Sequence, residues 1–338
     1  MAIAPGEKGI RCGIIGYGGA FNMGKAHSNW INAVPGMQVT AVCDLDPERT
    51  AVAKQDFPEI ETYNDVAVML EKAPIDLCVL ITPHNTHAPL AVQCLKAGKH
   101  VITEKPMCLT TSEATNMIDE ARAAGKMLSV FHNRRWDGDY MAIQDVVDKG
   151  IIGEVFHVEM YGGGYGHPGK WWRADKAISG GAFYDWGAHY LYWLLRIIPD
   201  PLQSVTGFYH KRVWHDVTNE DQVEAAILFK TGKVANVQMS SIAMAGKPRW
   251  RILGTKGAIV DHGGGSFKVY TDVQGLKAEA EVKYRPGQWE KYYENIGDHL
   301  LRGGQLEITP ESARRVIEII DYAEVSARSG QTERLPYP

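Results

Sequence analysis

Residues 10–19, IRCGIIGYGG, run from a short apolar segment straight into a glycine-rich turn. A helix-like stretch follows, so the segment has the strand–turn–helix context that the dinucleotide-binding motif GxGxxG requires. Gly16 permits the tight turn, and Gly18 lets the backbone approach a pyrophosphate at the helix N-terminus. We therefore predict that Gly16, Gly18, Gly19 and Ala20 bind a dinucleotide cofactor.

The third position of this motif is irregular. Phe21 stands where glycine or alanine is expected and Gly24 follows later, so we interpret residues 20–24 as an enlarged loop. A lone motif of this kind fits a flexible turn better, but the second apolar run ends in Asp44. A carboxylate there accepts hydrogen bonds from an adenosine ribose and repels a 2′-phosphate. The sequence thus favours NAD, with NADP as the alternative because Arg49 lies nearby.

Short apolar runs alternate with helix-like stretches through the first 130 residues. Strands are predicted at residues 10–15, 38–43, 76–81, 99–103 and 127–131, and helices at 47–55, 86–97 and 110–124. This alternation is typical of βαβ units around a parallel sheet. We predict an α/β fold with an N-terminal Rossmann domain over residues 1–131.

The pattern changes after about residue 150 to longer strand-like segments separated by Gly and Asp turns. They predict a large, mostly antiparallel sheet in an α+β domain over residues 132–338, which would bind substrate and form oligomers. A final amphipathic helix is predicted over 310–329, with Thr309 and Gly330 as caps, and is expected to pack back on the first domain.

Composition excludes several classes of protein. The 338 residues carry a net charge of −4 without long runs of either sign, which does not favour nucleic acid or anionic membranes. No stretch approaches the roughly 20 apolar residues of a membrane span, and the start MAIAPGEKG does not resemble a signal peptide. The five scattered cysteines form no CxxC and indicate buried thiols in a reducing, cytoplasmic setting.

Residues 81–87, ITPHNTH, directly follow a predicted strand. Pro83 marks the strand end, at the edge where open α/β sheets bind ligands, so we expect Thr82, Pro83 and His87 to contact the cofactor. His84 and His87 also suggest metal ligands, but without neighbouring cysteines or acidic residues no metal is predicted.

The stretch GGAFYDWGAHYLYWLL, residues 180–195, predicts a buried helix that is apolar on nearly every face. Asp185 and His189 stand four residues apart in it and therefore on one side. Because an unpartnered buried charge is costly, they are either a satisfied pair that braces the helix or two groups that face a substrate cavity.

Residues 98–107, GKHVITEKPM, place Glu104-Lys105-Pro106 after a predicted Rossmann strand. This segment resembles the signature of the glucose–fructose oxidoreductase / inositol dehydrogenase (Gfo/Idh/MocA) family. The opening GIIGYGG, the run TPHNTHAPLAVQCLKAGKHV, the Asp-and-His helix and the late YYENIGDHLL are similar too, so the resemblance covers nearly the whole chain.

The resemblance implies NAD(P)-dependent hydride transfer on a secondary alcohol or ketone of a sugar, cyclitol or sugar derivative. It implies that Lys105, Asp185 and His189 are catalytic and also touch the substrate, and that Glu104, Lys105 and Arg134 lie at the cofactor. In related enzymes the proline of the motif gives a peptide geometry that aims the lysine. An amine or imidazole can take the hydroxyl proton near neutral pH, so these converging groups favour catalysis over a helix brace.

Residues 162–175, GGGYGHPGKWWRAD, are glycine-rich and carry aromatic and cationic side chains. Aromatic faces beside the N–H donors of a guanidinium suit a polyol. We therefore expect His167, Trp172 and Arg173 to bind substrate together with Arg134. The alternatives are a core or interface role for the tryptophans and a solvated charge for Arg134. One departure from the family is Tyr192, where relatives commonly carry an acid three residues after the histidine.

Three functions fit these features. The first is an NAD(H)-dependent sugar or cyclitol oxidoreductase, forming a homodimer or homotetramer through the exposed face of the second domain's sheet. The second is a glycoside-cleaving enzyme that uses transient ring oxidation and elimination with tightly held NAD. The third is a non-catalytic regulator that senses sugar or NAD, against which the intact Lys105, Asp185 and His189 argue.

Overall fold

The computed structural model describes residues 9–337, which form two compact units. The first unit extends to His132 and includes Glu290–Arg314, and the second comprises Asn133–Trp289 and the chain from Arg315 onward. Residues 290–314 thus belong to the first unit, whereas a single division near residue 131 was expected. Residues 1–8, which hold most of the start MAIAPGEKG, lie outside the described residues.

The first unit contains a six-stranded parallel sheet with helices between the strands. Its strands are β1 (Ile10–Ile15), β2 (Met37–Cys43), β3 (Glu61–Tyr63), β4 (Leu77–Leu80), β5 (His100–Thr103) and β6 (Leu128–Val130). Its connecting helices are α1 (Met23–Ala33), α2 (Pro47–Asp56), α3 (Val66–Lys72), α4 (His87–Lys96) and α5 (Thr111–Ala124). The order β3-β2-β1-β4-β5-β6, parallel throughout, is the Rossmann order, so the predicted fold class is confirmed.

The second unit is built around a nine-stranded sheet. Its strands are β7 (Val155–Gly163), β8 (Leu202–His210), β9 (Gln222–Phe229), β10 (Val234–Ser240), β11 (Trp250–Gly254), β12 (Gly257–Asp261), β13 (Ser266–Val273), β14 (Leu276–Lys283) and β15 (Glu333–Arg334). The order is β14-β13-β12-β11-β7-β10-β9-β8-β15, and only β7 and β10 pair in parallel. The mostly antiparallel sheet confirms the second part of the fold prediction.

Five further α-helices lie within residues 9–337. They are α6 (Gly138–Asp148), α7 (Lys176–Ser179), α8 (Trp186–Ile197), α9 (Lys291–Arg302) and α10 (Pro310–Ser329). The last begins and ends where the sequence predicted: the Thr309 hydroxyl accepts from the Ser312 amide at 3.2 Å, and Gly330 has φ 70°.

The buried helix α8 starts later than the sequence predicted. Gly180, at φ 88°, ends α7, and Gly181, at φ 130°, keeps the next residues out of helical geometry. Asp185 therefore occupies the N-cap position rather than the helix interior. Inside α8, Trp193 is fully buried, with its ring centroid 5.4 Å from that of Trp250.

No helix among residues 9–337 has the length and apolar character to cross a membrane. All five cysteines are buried free thiols.

Candidate functional site

The turn after β1 has the geometry of a dinucleotide-binding loop. Gly16 has φ 98°, and a Cβ on it would lie 2.2 Å from the Ile81 carbonyl oxygen, so only glycine fits. A Cβ on Gly18 would meet no atom within 4 Å, which leaves open space beside the backbone. The turn can thus admit a pyrophosphate next to the N-terminus of α1.

The loop into α1 is enlarged, as the sequence indicated, and Ala20 and Phe21 are exposed in it. Asn22 adopts a left-handed conformation with φ 50°, and α1 begins only at Met23. A Cβ on Gly24 would lie 2.5 Å from the Tyr17 ring. Gly24 therefore supplies the close packing that the third glycine of the motif normally provides, a role that the displaced spacing hid.

Asp44 follows β2 and is tied to the glycine turn. Its Oδ2 accepts from the Tyr17 amide at 2.6 Å and its Oδ1 from the Asp46 amide at 3.0 Å. Each carboxylate oxygen keeps a second lone pair, which suits a ribose hydroxyl. The Arg49 guanidinium lies over the same turn, because a Cβ on Gly19 would be 2.5 Å from one of its nitrogens. These residues fit a bound NAD(P), with an acid and a cation both near the ribose end.

Asp44→Ser is expected to weaken NAD binding and to narrow the preference for NAD over NADP. The substitution removes ribose acceptors and the repulsion of a 2′-phosphate, and it loosens the turn held through Tyr17. Dissociation constants and kcat/KM for both cofactors measure the effect. Asp65→Ser is the matched control, since serine can replace Asp65 as the N-cap of α3. If the ratio of kcat/KM with NAD to kcat/KM with NADP is unchanged in Asp44→Ser, Arg49 instead sets the cofactor preference.

A buried hydrogen-bonded chain supports Glu104. The Glu104 Oε1 lies 3.0 Å from Nε2 of His27, whose Nδ1 lies 2.6 Å from the Tyr293 hydroxyl. The other carboxylate oxygen accepts from the Lys105 amide at 3.0 Å. Burial alone would raise the pKa of Glu104, but the His27 hydrogen bond and the nearby charges lower it, so Glu104 is a carboxylate at neutral pH.

Two more buried histidines lie near Lys105, which follows β5 and is half-buried. Burial, then the Lys105 charge, lowers the pKa of His132 to about 3. Burial also lowers the pKa of His87, against the opposing effect of two backbone carbonyls and Glu104. Both rings are therefore neutral at neutral pH. The Lys105–Pro106 peptide bond is cis.

The segment after β4 turns at Pro83, which precedes a short 3-10 turn over His84–Thr86. The Thr86 hydroxyl donates to the Thr82 hydroxyl at 2.7 Å. His87 is fully buried and turns its nitrogens to backbone carbonyls, so the structure does not support the predicted direct contact between His87 and the cofactor. Within residues 9–337, no three His, Cys, Asp or Glu side chains form a group that could hold a metal.

In the second unit, Arg134 is held between aromatic rings and an acid. Its guanidinium carbon lies 4.4 Å from the Trp186 ring centroid and 5.2 Å from that of Trp289, and it pairs with Asp137 at 2.9 Å. Arg134 is therefore a fixed cation rather than the solvated hinge charge considered above. Burial raises the pKa of Asp137, although the Arg134 charge opposes the shift.

Asp185 and His189 both belong to the start of α8. Arg173 donates to Asp185 Oδ1 at 3.0 Å, and its guanidinium stacks at 5.1 Å from the Trp172 ring centroid. The His189 ring is buried, with its centroid 5.7 Å from that of Trp186. The sequence analysis did not predict Trp186 as a site residue, although it directly follows Asp185. Its side chain is 44% exposed.

His167 is engaged elsewhere in the second unit. Its Nε2 lies 3.1 Å from Asp216 Oδ1, and Lys170 pairs with the other oxygen at 3.0 Å. The His167 hydrogen bond, with that of Lys170, lowers the pKa of Asp216 to about 2. The structure thus places Arg134 and His189 against Trp186, pairs Arg173 with Asp185 at the adjacent position of the chain, and pairs His167 with a separate acid.

Sequence comparisons identify both units. The family model described as "Oxidoreductase family, NAD-binding Rossmann fold" matches residues 10–132, and the "GFO/IDH/MocA C-terminal domain" matches residues 140–260. The chain is 28% identical to the uncharacterized oxidoreductase YdgJ of Escherichia coli (strain K12), over 96% of this chain and 98% of YdgJ.

Two further relatives agree in length and fold. The chain is 26% identical to the scyllo-inositol 2-dehydrogenase (NADP(+)) IolW of Bacillus subtilis (strain 168), over 97% of this chain and 96% of IolW. The solved structure of yvaA from Bacillus subtilis superposes with a TM-score of 0.86 at 25% identity, covering 97% of this chain and 98% of that one. The matches span both units, and with the glycine turn and Glu104-Lys105-Pro106 they show that the chain belongs to the Gfo/Idh/MocA family of NAD(P)-dependent oxidoreductases.

Proposed function

We propose that the enzyme interconverts a secondary alcohol and a ketone on a sugar, cyclitol or sugar derivative. Lys105 exchanges the hydroxyl proton, while Asp185 and His189 serve the same reaction from the second unit. The observation that carries this proposal is the packing around Lys105: the pKa values of the neighbouring His87 and His132 are lowered, and Glu104 is a carboxylate. Lys105 is partly exposed whereas the two histidines are buried, so Lys105 is the cationic side chain of this cluster that can reach a substrate oxygen.

The nicotinamide of a bound NAD(P) accepts or supplies the hydride in this chemistry. Lys105 takes the proton from the carbinol oxygen during oxidation and returns it to the carbonyl oxygen during reduction. Glu104 fixes the backbone from which Lys105 extends, because its carboxylate accepts from the Lys105 amide. The roles of Gly16, Gly18 and Asp44 are binding and orientation.

The second unit supports a polyol substrate. The Arg173 guanidinium lies over the Trp172 ring and forms an ion pair with Asp185. Its N–H donors are thereby held beside an aromatic face and a carboxylate acceptor. His189, one turn further along α8, adds a second group that can exchange a proton near neutral pH. A ring that carries several hydroxyls offers C–H faces for the aromatic surface and oxygens for the donors.

The similarity to IolW supports the cyclitol branch of this proposal. IolW is named as a scyllo-inositol dehydrogenase, and it aligns with nearly the whole of this chain. Inositols therefore come first in a substrate screen, followed by free sugars and glycosides.

A screen of inositols, sugars and glycosides tests the proposal by NADH and NADPH absorbance. We expect at least one inositol or sugar to produce reduced cofactor in proportion to product. Glycoside cleavage without net cofactor reduction would instead favour the ring-oxidation and elimination pathway. The protein is first checked for cofactor that is carried through purification, because a retained cofactor would hide the stoichiometry.

We also propose a homodimer or homotetramer in the cytoplasm, formed through one face of the second sheet. Strand register places Phe208 and Tyr270 on the same face, and they are 48% and 37% exposed. The opposite face meets α8, where a Cβ on Gly162 would contact the Tyr190 ring at 3.1 Å. Sedimentation velocity measures the number of subunits.

A further inference from the structure

His27, on α1, is fully buried in the first unit and forms hydrogen bonds with two other segments of that unit. Its Nε2 lies 3.0 Å from Glu104 Oε1, in the segment after β5, and its Nδ1 lies 2.6 Å from the hydroxyl of Tyr293 on α9. Both distances are those of hydrogen bonds. The ring therefore joins the helix after the glycine turn to the segment that carries Lys105 and to a helix from late in the sequence.

The two partners of the ring decide which nitrogen carries hydrogen. A carboxylate can only accept, so the contact with Glu104 requires hydrogen on Nε2. Burial raises the pKa of Tyr293 well above its usual value, so its hydroxyl keeps its proton and can donate to Nδ1. A neutral imidazole with its single hydrogen on Nε2 thus satisfies both contacts, donating one hydrogen bond and accepting the other.

Glu104 connects the ring to Lys105. Its Oε1 accepts from His27, and its Oε2 accepts from the Lys105 amide at 3.0 Å. Both oxygens belong to one planar carboxylate, so a donor fixed at the first oxygen limits the rotation of the second. The Lys105 charge and the carboxylate also attract each other, and the His27 hydrogen bond helps to keep Glu104 ionised.

We propose that His27 is a positioning residue for proton transfer by Lys105, and that it acts through the Nε2–H bond that orients the Glu104 carboxylate. This inference rests on the proposed role of Lys105. Glu104 in turn holds the backbone from which the Lys105 side chain extends. The Tyr293 hydroxyl keeps the hydrogen of the ring on the side of Glu104.

Two substitutions of His27 differ in whether they keep the donor. Phenylalanine preserves a ring against Phe131, whose centroid lies 4.2 Å away, but it has no N–H. A glutamine amide can extend to the place of Nε2 and donate to Glu104. We expect His27→Phe to lower kcat by more than about tenfold and His27→Gln to stay within about threefold of wild type. Turnover is measured with the inositol or sugar that is most active in the substrate screen.

A double-mutant cycle with Glu104→Gln separates action through Glu104 from an effect on packing. If His27 acts through the carboxylate, adding His27→Phe to Glu104→Gln should change kcat by less than about threefold. A ring that is needed only for packing would instead lower kcat by the same factor in both backgrounds. His299→Phe is the matched control, because His299 donates through Nδ1 to the Gly304 carbonyl at 2.8 Å, and it should retain wild-type kcat.

Hydrogen exchange on the cofactor-free protein provides a readout that does not depend on catalysis. His27→Phe should speed amide exchange in residues 104–108 and leave exchange in α3 unchanged. His27→Gln should match the wild-type protein in both segments, because the donor to Glu104 is kept. A general loss of stability would instead speed exchange throughout the first unit.

Four results would each overturn the inference: wild-type kcat in His27→Phe, an equal loss in His27→Gln, equal losses in both backgrounds of the cycle, or uniformly faster exchange. If His27→Phe does not fold, His27→Asn replaces it, since its shorter amide does not extend to the place of Nε2. Failure of both to fold would also overturn the inference, because the ring would then serve stability alone. A Lys105→Met enzyme with full turnover would refute the proposed function instead, and exchange in residues 104–108 would still decide whether His27 orients Glu104.

Discussion

Lys105→Met is expected to lower kcat by at least about a hundredfold, the lower range for loss of a general acid–base group. Methionine nearly preserves the length of the side chain and its packing but cannot exchange a proton. The glycine turn and Asp44 are untouched, so the dissociation constant for NADH should remain near that of the wild-type enzyme. Stopped-flow turnover and NADH fluorescence on the same preparation measure both quantities.

Lys96→Met is the matched control for this prediction. Lys96 lies on α4 with its side chain 63% exposed and pairs with Glu120, an ion pair of the surface type that contributes little to stability. The control should retain wild-type kcat. Near-wild-type turnover in Lys105→Met would show that another group carries the proton, and the role proposed for Lys105 would be wrong.

His189→Asn is expected to lower kcat/KM by more than about tenfold, equivalent to at least about 1.4 kcal/mol of transition-state stabilisation. Asparagine can still form hydrogen bonds at this position, but it cannot take up a proton near neutral pH. The His189 ring lies against Trp186 and Trp193, and the smaller amide fits in the same space. The pH–rate profile should lose or shift one limb, unless Lys105 alone sets both.

The competing expectation is that His189 only braces α8. In that case His189→Asn should lose about 1–3 kcal/mol of stability, the range for a disturbed buried hydrogen bond, with full activity per folded molecule. Thermal unfolding temperatures and kcat/KM, measured on the same preparation, distinguish the two roles. His157→Asn serves as control, because His157 lies on β7 and pairs with Glu159, away from α8.

The parallel sheet could be predicted because its strands are apolar and regularly separated by helical patterns. Strands β3 and β14 lack the hydrophobic pattern from which a strand can be predicted. β3 has three residues and no buried one, and β14, LKAEAEVK, is an edge strand that is exposed along most of its length. Backbone pairing with β2 and β13 holds them in the sheets, and a hydrophobic pattern does not report such pairing.

Local motifs likewise defined part of the candidate site. Gly16 and Asp44 follow adjacent strands, so their meeting follows from sheet topology alone. The partner of His27 could not be found in this way, because Tyr293 is 266 residues further along the chain. Asp185 was displaced from the helix interior by two glycine conformations that a hydrophobic pattern does not reveal.

Residues 290–314 belong to the first unit although they follow most of the second unit in the sequence. The first unit can therefore be completed only late in synthesis on the ribosome. A nascent chain that has reached His132 holds all six strands of the Rossmann sheet but lacks Tyr292 and Tyr293, whose rings contact Phe131 and His27. At roughly 5–20 residues per second, synthesis of the intervening segment takes about 8–32 s. During that time His27 and Phe131 lack these two partners. The first unit therefore begins to form first and becomes complete only after the strands β7–β14 of the second have been made.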